Sequence, residues 1–256
     1  MNAHDVRLMC RAGTYTNPTP GLAPGFVQAN LVCVPREIAF DFLLFCRRNP
    51  RPCPLLDVTD PGDPVPRLAA PEGDVRTDCP RYRVYRYGEL IAEPLDLLAY
   101  WRDDLVSFLL GCSFTFEAAL LQAQLPVRHL QQKCNVPMYR TGVPCSPAGV
   151  FHGPLVVSMR PMTPTQAQQA TAICAEYPLA HGAPIQIGEA EKLGIADLSR
   201  PDFGDPVAIH PGEVPVFWAC GVTPQAVAIA ARVPLLLTHA PGHMFLTDLT
   251  DAHMRG

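Results

Sequence analysis

Proline punctuates this chain, and that limits its folds more than any other feature. There are 29 prolines in 256 residues, close to twice the usual ~5%. Each fixes φ and lacks a backbone donor, so helices and inner strands must start and stop around them. Many stand at the borders of periodic segments rather than in one tract, which argues for ordered elements. The stretch "RPCPLLDVTDPGDPVPRLAAPEGDVRTDCP", residues 51–80, is different. Its apolar residues are scattered, and its prolines and Asp/Gly pairs break any period. It is expected to be the least structured part of the chain: a functional loop, a lid or a disordered segment.

Elsewhere the periods are clear. "FVQANLVCV" (26–34) reads as a strand carrying two polar residues, Gln28 and Asn30. "PREIAFDFLLFCRRN" reads as a helix with Pro35 in its first turn; Ala39, Phe42, Leu43 and Cys46 fall at i, i+3, i+4 and i+7 on one buried face. "RYRVYRYGEL" reads as a strand, and "DLVSFLLGC" as an apolar run leading into the helix "SFTFEAALLQAQ", with Ser113 as its cap. One order then occurs twice. "LVVSMRPMTPTQAQQATAICAEY" and "VPVFWACGVTPQAVAIAARV" are each strand, Thr-Pro, helix. Thr163 or Thr223 is placed to cap, and Pro164 or Pro224 fits the first helical position. Internal duplication and reuse of a common joint are both open. The alternation predicts a mixed α/β (α+β) fold, with mixed sheets and repeated strand–helix units.

Composition narrows the function. A net charge of -4 lacks the basic footprint of a nucleic-acid binder. No apolar run approaches the ~20 residues of a membrane helix, and "MNAHDVRLMCRAG" has no signal-peptide core. The expected address is the cytoplasm. The ten cysteines contain no C-x-x-C pair, so reduced structural thiols are expected rather than a zinc ribbon. No Walker loop, G-x-G-x-x-G or G-x-S-x-G is present, so no cofactor is called for.

Four segments can carry chemistry. In "THAPGH", His239 and His243 stand four apart, but Pro241-Gly242 between them fits a type II turn and destroys the helical register that a metal pair needs. No metal is expected; a structural turn, or a substrate loop with one histidine as acid or base, remains. "GCSFTFE" (111–117) places Cys112 and Ser113 where a strand enters a helix. There free amides attract carboxylates and lower a thiol's pKa. Cys112 reads either as a nucleophile or as a small residue for close packing, and Glu117 as a first-turn glutamate favoured by the dipole. "ACGVTPQ" repeats that joint, with Gly221 allowing close backbone approach and Thr223 following. "NVPMYRTGVPC" sets Asn135, Arg140 and Thr141 in a Pro/Gly-bounded segment, where Arg140 can grip a carboxylate or sit in a surface ion pair.

Taken together, "PGFVQANLVCVP", "RDDLVSFLLGCSFTFEAAL", "NVPMYRTGVPC", "HGAPIQIG", "GEVPVFWACGVTPQA" and "THAPGHMFLTDL" closely resemble the D-glutamate cyclase family, whose bacterial members are called hydro-lyases. The resemblance runs over about residues 10–249. It implies one domain over 1–256, or two subdomains meeting near residue 150. It also implies cyclisation of D-glutamate to 5-oxo-D-proline with loss of water, or a related dehydration. Chemistry then suggests roles. Arg140 and the amides near Cys112 and Ser113 would meet carboxylates, with His239 or His243 moving protons and Gln28 and Asn30 as orienting donors. A different hydro-lyase acting on a small hydroxy or amino acid, and a non-catalytic carboxylate binder, are the rival readings. The expected partner is a small carboxylate, with no nucleic acid or membrane, and a homo-oligomer is left open.

Overall fold

The apolar run that begins at Phe26 becomes the strand around which the molecule is organised. In the computed structural model, which describes residues 1–255, the chain opens with α1 (Ala3–Arg11), β1 (Phe26–Pro35), α2 (Arg36–Arg48) and β2 (Leu55–Val58). The hairpin β3 (Tyr82–Arg86) and β4 (Glu89–Ala92) follows, then β5 (Leu105–Leu110), α3 (Phe114–Gln122) and α4 (Arg128–Gln132). The second half holds β6 (Met138–Pro144), β7 (Pro154–Met162), α5 (Pro164–Ala175) and β8 (Gln186–Ile187). It closes with β9 (Val214–Ala219), α6 (Val222–Ala230), β10 (Leu236–His239) and β11 (Phe245–Thr250).

Two sheets form. One has seven strands in the order β2-β5-β1-β10-β3-β4, with β11 also on β1; the other is β6-β7-β9-β8. The mixed α and β class is as expected. The sheets, expected to mix strand directions, are antiparallel at every pairing among the described residues. The reason is visible at β7: after α5 the chain returns to the end where β7 finished, so Met162 faces Val214 and β9 runs back beside it. The two repeated units also diverge, since the strand after α5 stays in the small sheet and the strand after α6 joins the large one.

Alternation along β1 builds two half-cores, because successive side chains leave opposite faces of a strand. Val32 and Val34 pack with Phe42 and Phe45 of α2, Phe108 of β5 and Val227 of α6. Leu31 and Cys33 pack with Ala69, Ala70, Val75 and Tyr82. Residues 51–80 are therefore a cover for one sheet face, not the least structured part. Their order comes from carboxylates. Asp57 Oδ2 accepts from the amides of Leu68 and Ala69 at 2.9 and 3.0 Å. Buried Asp78 accepts from the Asp74 amide at 2.8 Å and from both ends of the Arg11 fork. Val27, nearer the start of β1, packs instead with Phe116, Leu120 and Trp218, and so joins the two sheets.

Local readings were met unevenly. Thr163 caps α5 with a full capping box and Pro164 at its first position. "RYRVYRYGEL" breaks into a hairpin, because Tyr87 and Gly88 both take positive φ, the pair a tight hairpin turn requires. Ser113 precedes α3 without a side-chain capping bond, and Thr223 lies inside α6. Its hydroxyl instead accepts from Val156 N at 3.0 Å. Among the described residues no helix is long and apolar enough to cross a membrane.

Candidate functional site

Both strand-to-helix joints are built alike. β5 turns through Gly111, Cys112 and Ser113 into α3; β9 turns through Cys220 and Gly221 into α6. In each, the cysteine thiol stands beside the first amide of its helix, Phe114 N for Cys112 and Val222 N for Cys220. Both glycines are demanded by close approach. A Cβ on Gly111 would lie 1.9 Å from the Leu179 carbonyl oxygen, and one on Gly221 would lie 2.4 Å from Asn30 Nδ2. That same Nδ2 donates to the Gly111 carbonyl at 3.1 Å. One buried amide on β1 thus touches both joints, and the two helix starts lie side by side.

His239 reaches this region from the end of β10. Leu31 N donates to its Nδ1 at 3.1 Å, and Gln225 Nε2 of α6 stands 3.0 Å from the same atom. Accepting a backbone N–H leaves the ring proton on Nε2. Burial pushes the His239 pKa down to about 4, so the ring is neutral at neutral pH. The turn after it forms as expected: Gly242 has φ +75°, and His243 N donates to the Ala240 carbonyl at 2.9 Å. His243 is half-buried, with Nδ1 2.8 Å from the Pro241 carbonyl. Gln28 connects to this turn through Thr19. Its Nε2 donates to Thr19 O at 3.0 Å, and Thr19 N donates to Gly242 O at 2.8 Å. The Gln28 Oε1 is buried with no hydrogen-bond partner among the described residues.

Beside the joints lies a buried ion pair. Arg160 of β7 is 0% exposed, its guanidinium 5.1 Å from the Phe116 ring and 5.2 Å from the Trp218 ring. Nε donates to Glu117 Oε1 at 3.1 Å, and Nη2 meets the same oxygen. Nη1 donates to Ser158 Oγ at 3.0 Å and Nη2 to Ser113 Oγ at 3.2 Å. Burial alone would raise the Glu117 carboxyl. The Arg160 charge, with hydrogen bonds from His129 and Arg160, outweighs it and holds the group below the usual carboxylate range. His181 stands near this charge, its Nδ1 donating to the Arg51 carbonyl at 2.7 Å, and burial pushes its pKa down to about 4.

Other candidate residues lie apart. Asn135 and Arg140 are exposed at the edge of the small sheet, their amides donating to Asp205 and Asp202. The Arg140 guanidinium stacks over Phe203 at 5.1 Å. Thr141 is buried and spends its hydroxyl on the Leu155 carbonyl at 2.8 Å. Two surface clefts of about 350 and 400 Å³ are lined by Tyr100 and Trp101, away from the joints, and by Arg51, Leu155, Leu193 and Ala219, the last residue of β9 before the second joint.

The D-glutamate cyclase family model matches residues 106–248, taking in both joints and the histidine turn. A protein of Rubrobacter xylanophilus, provisionally named a hydro-lyase, is 61% identical over 98% of this chain and 96% of its own length. Another so named, from Bacillus licheniformis, is 58% identical over 98% and 96%. This chain belongs to the D-glutamate cyclase family. A nitrogen repressor-like protein from Methanococcus jannaschii superposes with a TM-score of 0.40 at 9% identity, covering 92% of this chain and 91% of that one.

In this D-glutamate cyclase family member the thiols are poor nucleophiles. Burial pushes Cys112 up to about 12 and Cys220 up to about 11, despite the neighbouring helix amides, which act to lower them. Cys112→Ser is expected to retain a substantial fraction of activity, while a bulky alkyl group on Cys112 abolishes it. Complete loss in a normally folded serine variant would show thiol catalysis instead.

Sequence reasoning missed Arg160, Ser158, Cys220 and Gln225 as site neighbours, and read Glu117 only as a first-turn glutamate favoured by the dipole. A signal was present. Arg160 is a lone cation inside the strand "LVVSMRPM", and Glu117 a lone anion inside the apolar "FTFEAALL". A charge with apolar neighbours on both sides implies a buried partner.

Proposed function

We propose that this protein cyclises D-glutamate to 5-oxo-D-proline with loss of water, in the space between the two strand–helix joints. The observation that carries the reading is Asn30, whose one side chain touches Gly111 and Gly221 and so brings two nine-residue helix starts together. Helix N-termini favour anions, and glutamate has two carboxylates to hold while its ends are folded together. Membership of the D-glutamate cyclase family supports the same substrate.

The reaction needs orientation more than power. The neutral α-amine nitrogen attacks the γ-carboxyl carbon, the N–C bond forms, and the C–O bond breaks. The γ-carboxyl enters protonated on its leaving oxygen, and that hydroxyl departs as water by taking the one proton that the amine gives up. No electrons change hands and no nucleotide enters. His239, neutral with its proton on Nε2, is suited to donate to the developing oxyanion and not to act as a base through Nδ1. His243, half-buried on the turn, is the group we assign to exchange protons with water.

Purified protein incubated with D-glutamate, without nucleotide, is expected to yield a product lighter by one water with the D configuration retained. Turnover of a hydroxy acid alone would favour a different dehydration. Several carboxylates raising the melting temperature, with none converted across a broad panel, would establish a binding protein.

A further inference from the structure

We infer that Ser113 and Ser158 form a pair of hydroxyl donors facing the substrate, and that Arg160 is the positioning residue that aims them. The inference rests on the reading of the site just given. A guanidinium has donors and no acceptor. Both serines therefore accept from Arg160, at 3.2 and 3.0 Å, and each keeps its own O–H to give. Ser113 stands at the first joint, directly before Phe114 of α3. Ser158 pairs across the sheet with Met138, whose sulfur lies 3.4 Å from the Cys220 thiol, at the second. The two donors thus approach one place from two elements.

The fork that sets them cannot turn. Glu117 takes Nε and one Nη2 hydrogen, and the Phe116 and Trp218 rings stand 5.1 and 5.2 Å from the guanidinium. Ser113 stands at the N-cap of α3 with a helical backbone, φ -63° and ψ -16°, so its hydroxyl makes no capping bond and is left to Arg160. A capping serine would spend itself on the helix amides; here Thr115 N donates to the Cys112 carbonyl instead. Lysine at 160 would keep a charge for Glu117 but has no planar fork to align two hydroxyls.

The test is a mutant cycle read on D-glutamate, with kcat, KM and melting temperature measured for each protein. Ser113→Ala and Ser158→Ala are each expected to lower kcat/KM roughly tenfold while remaining folded, with a melting temperature lower by several degrees for the Arg160 N–H left without its acceptor. Arg160→Lys should cost about a hundredfold in the wild-type background, yet under about threefold when both serines are already alanine. Equal losses from Arg160→Lys in both backgrounds would overturn the positioning role. Should Arg160→Lys not fold, the serine variants decide, and wild-type kcat/KM in both sinks the proposal. If the wild type binds D-glutamate without converting it, the same cycle is read on Kd. A wild type that neither binds nor converts D-glutamate defeats the functional reading, and this inference with it.

Discussion

Glu117→Ala will cost about 3–5 kcal/mol of stability, because it strands the Arg160 guanidinium in a dry site with no counter-charge. The two serines that remain are neutral acceptors and cannot offset that charge. For a domain of this size the loss corresponds to a fall of roughly 10 °C or more in melting temperature. The double variant Glu117→Leu/Arg160→Met removes both charges and should recover most of it, since an apolar pair of similar volume avoids desolvation altogether. Chemical denaturation of the single and double variants checks this. A Glu117→Ala protein within about 1 kcal/mol of the wild type would mean that water reaches Arg160.

Acidification will destabilise the protein well before carboxylates titrate. His239 and His181 have folded pKa values of about 4, both lowered by burial from the ordinary 6.5. Between those limits the unfolded chain takes up protons that the folded chain refuses. The stability is complete above pH 6.5 and drains away as the pH falls towards 4, by up to roughly 3 kcal/mol per histidine. Glu117 acts lower still, because its depressed carboxyl gives up its contribution only below the ordinary carboxylate range. The substitution His239→Asn keeps an acceptor for Leu31 N, and His181→Asn keeps a donor for the Arg51 carbonyl. Combined, they should flatten the slope between pH 6.5 and 4.5 in denaturant titrations. An unchanged slope would assign the acid sensitivity elsewhere.

How much of this was readable before any coordinates depended on the range of the cause. β1, α2, β5 and α5 follow from local periods and caps, and all formed where the residues pointed. Asn30 stood out as a polar residue in an apolar strand, and Gly221 as a residue allowing close backbone approach. Arg160 carried the same signal in β7 and was passed over, because Arg140 sat in a segment bounded by proline and glycine that resembled a binding loop. Only three-dimensional pairing separates them, since Arg140 is exposed on the small sheet's edge and Arg160 lies under two aromatic rings. The cover formed by residues 51–80 was unreadable for a different reason. Its buried members include Ala69 and Ala70, which show no period, and its order rests on Asp57 bonding amides eleven and twelve residues away.

The placement of β1 has a consequence for biosynthesis. One flank of β1 is closed by β5, about eighty residues downstream, while the other waits for β10 and β11. The Leu31 amide meets its histidine 208 residues later, and Arg7 finds the Leu246 carbonyl 239 residues later. Until those last strands leave the ribosome, the nascent chain carries an open, apolar strand edge of the kind that recruits other chains. Closure over such separations is slow. The joint at Gly221 and the imidazole of His239 arrive in the same late stretch, so an incomplete polypeptide displays its most adhesive edge before it owns a site to protect.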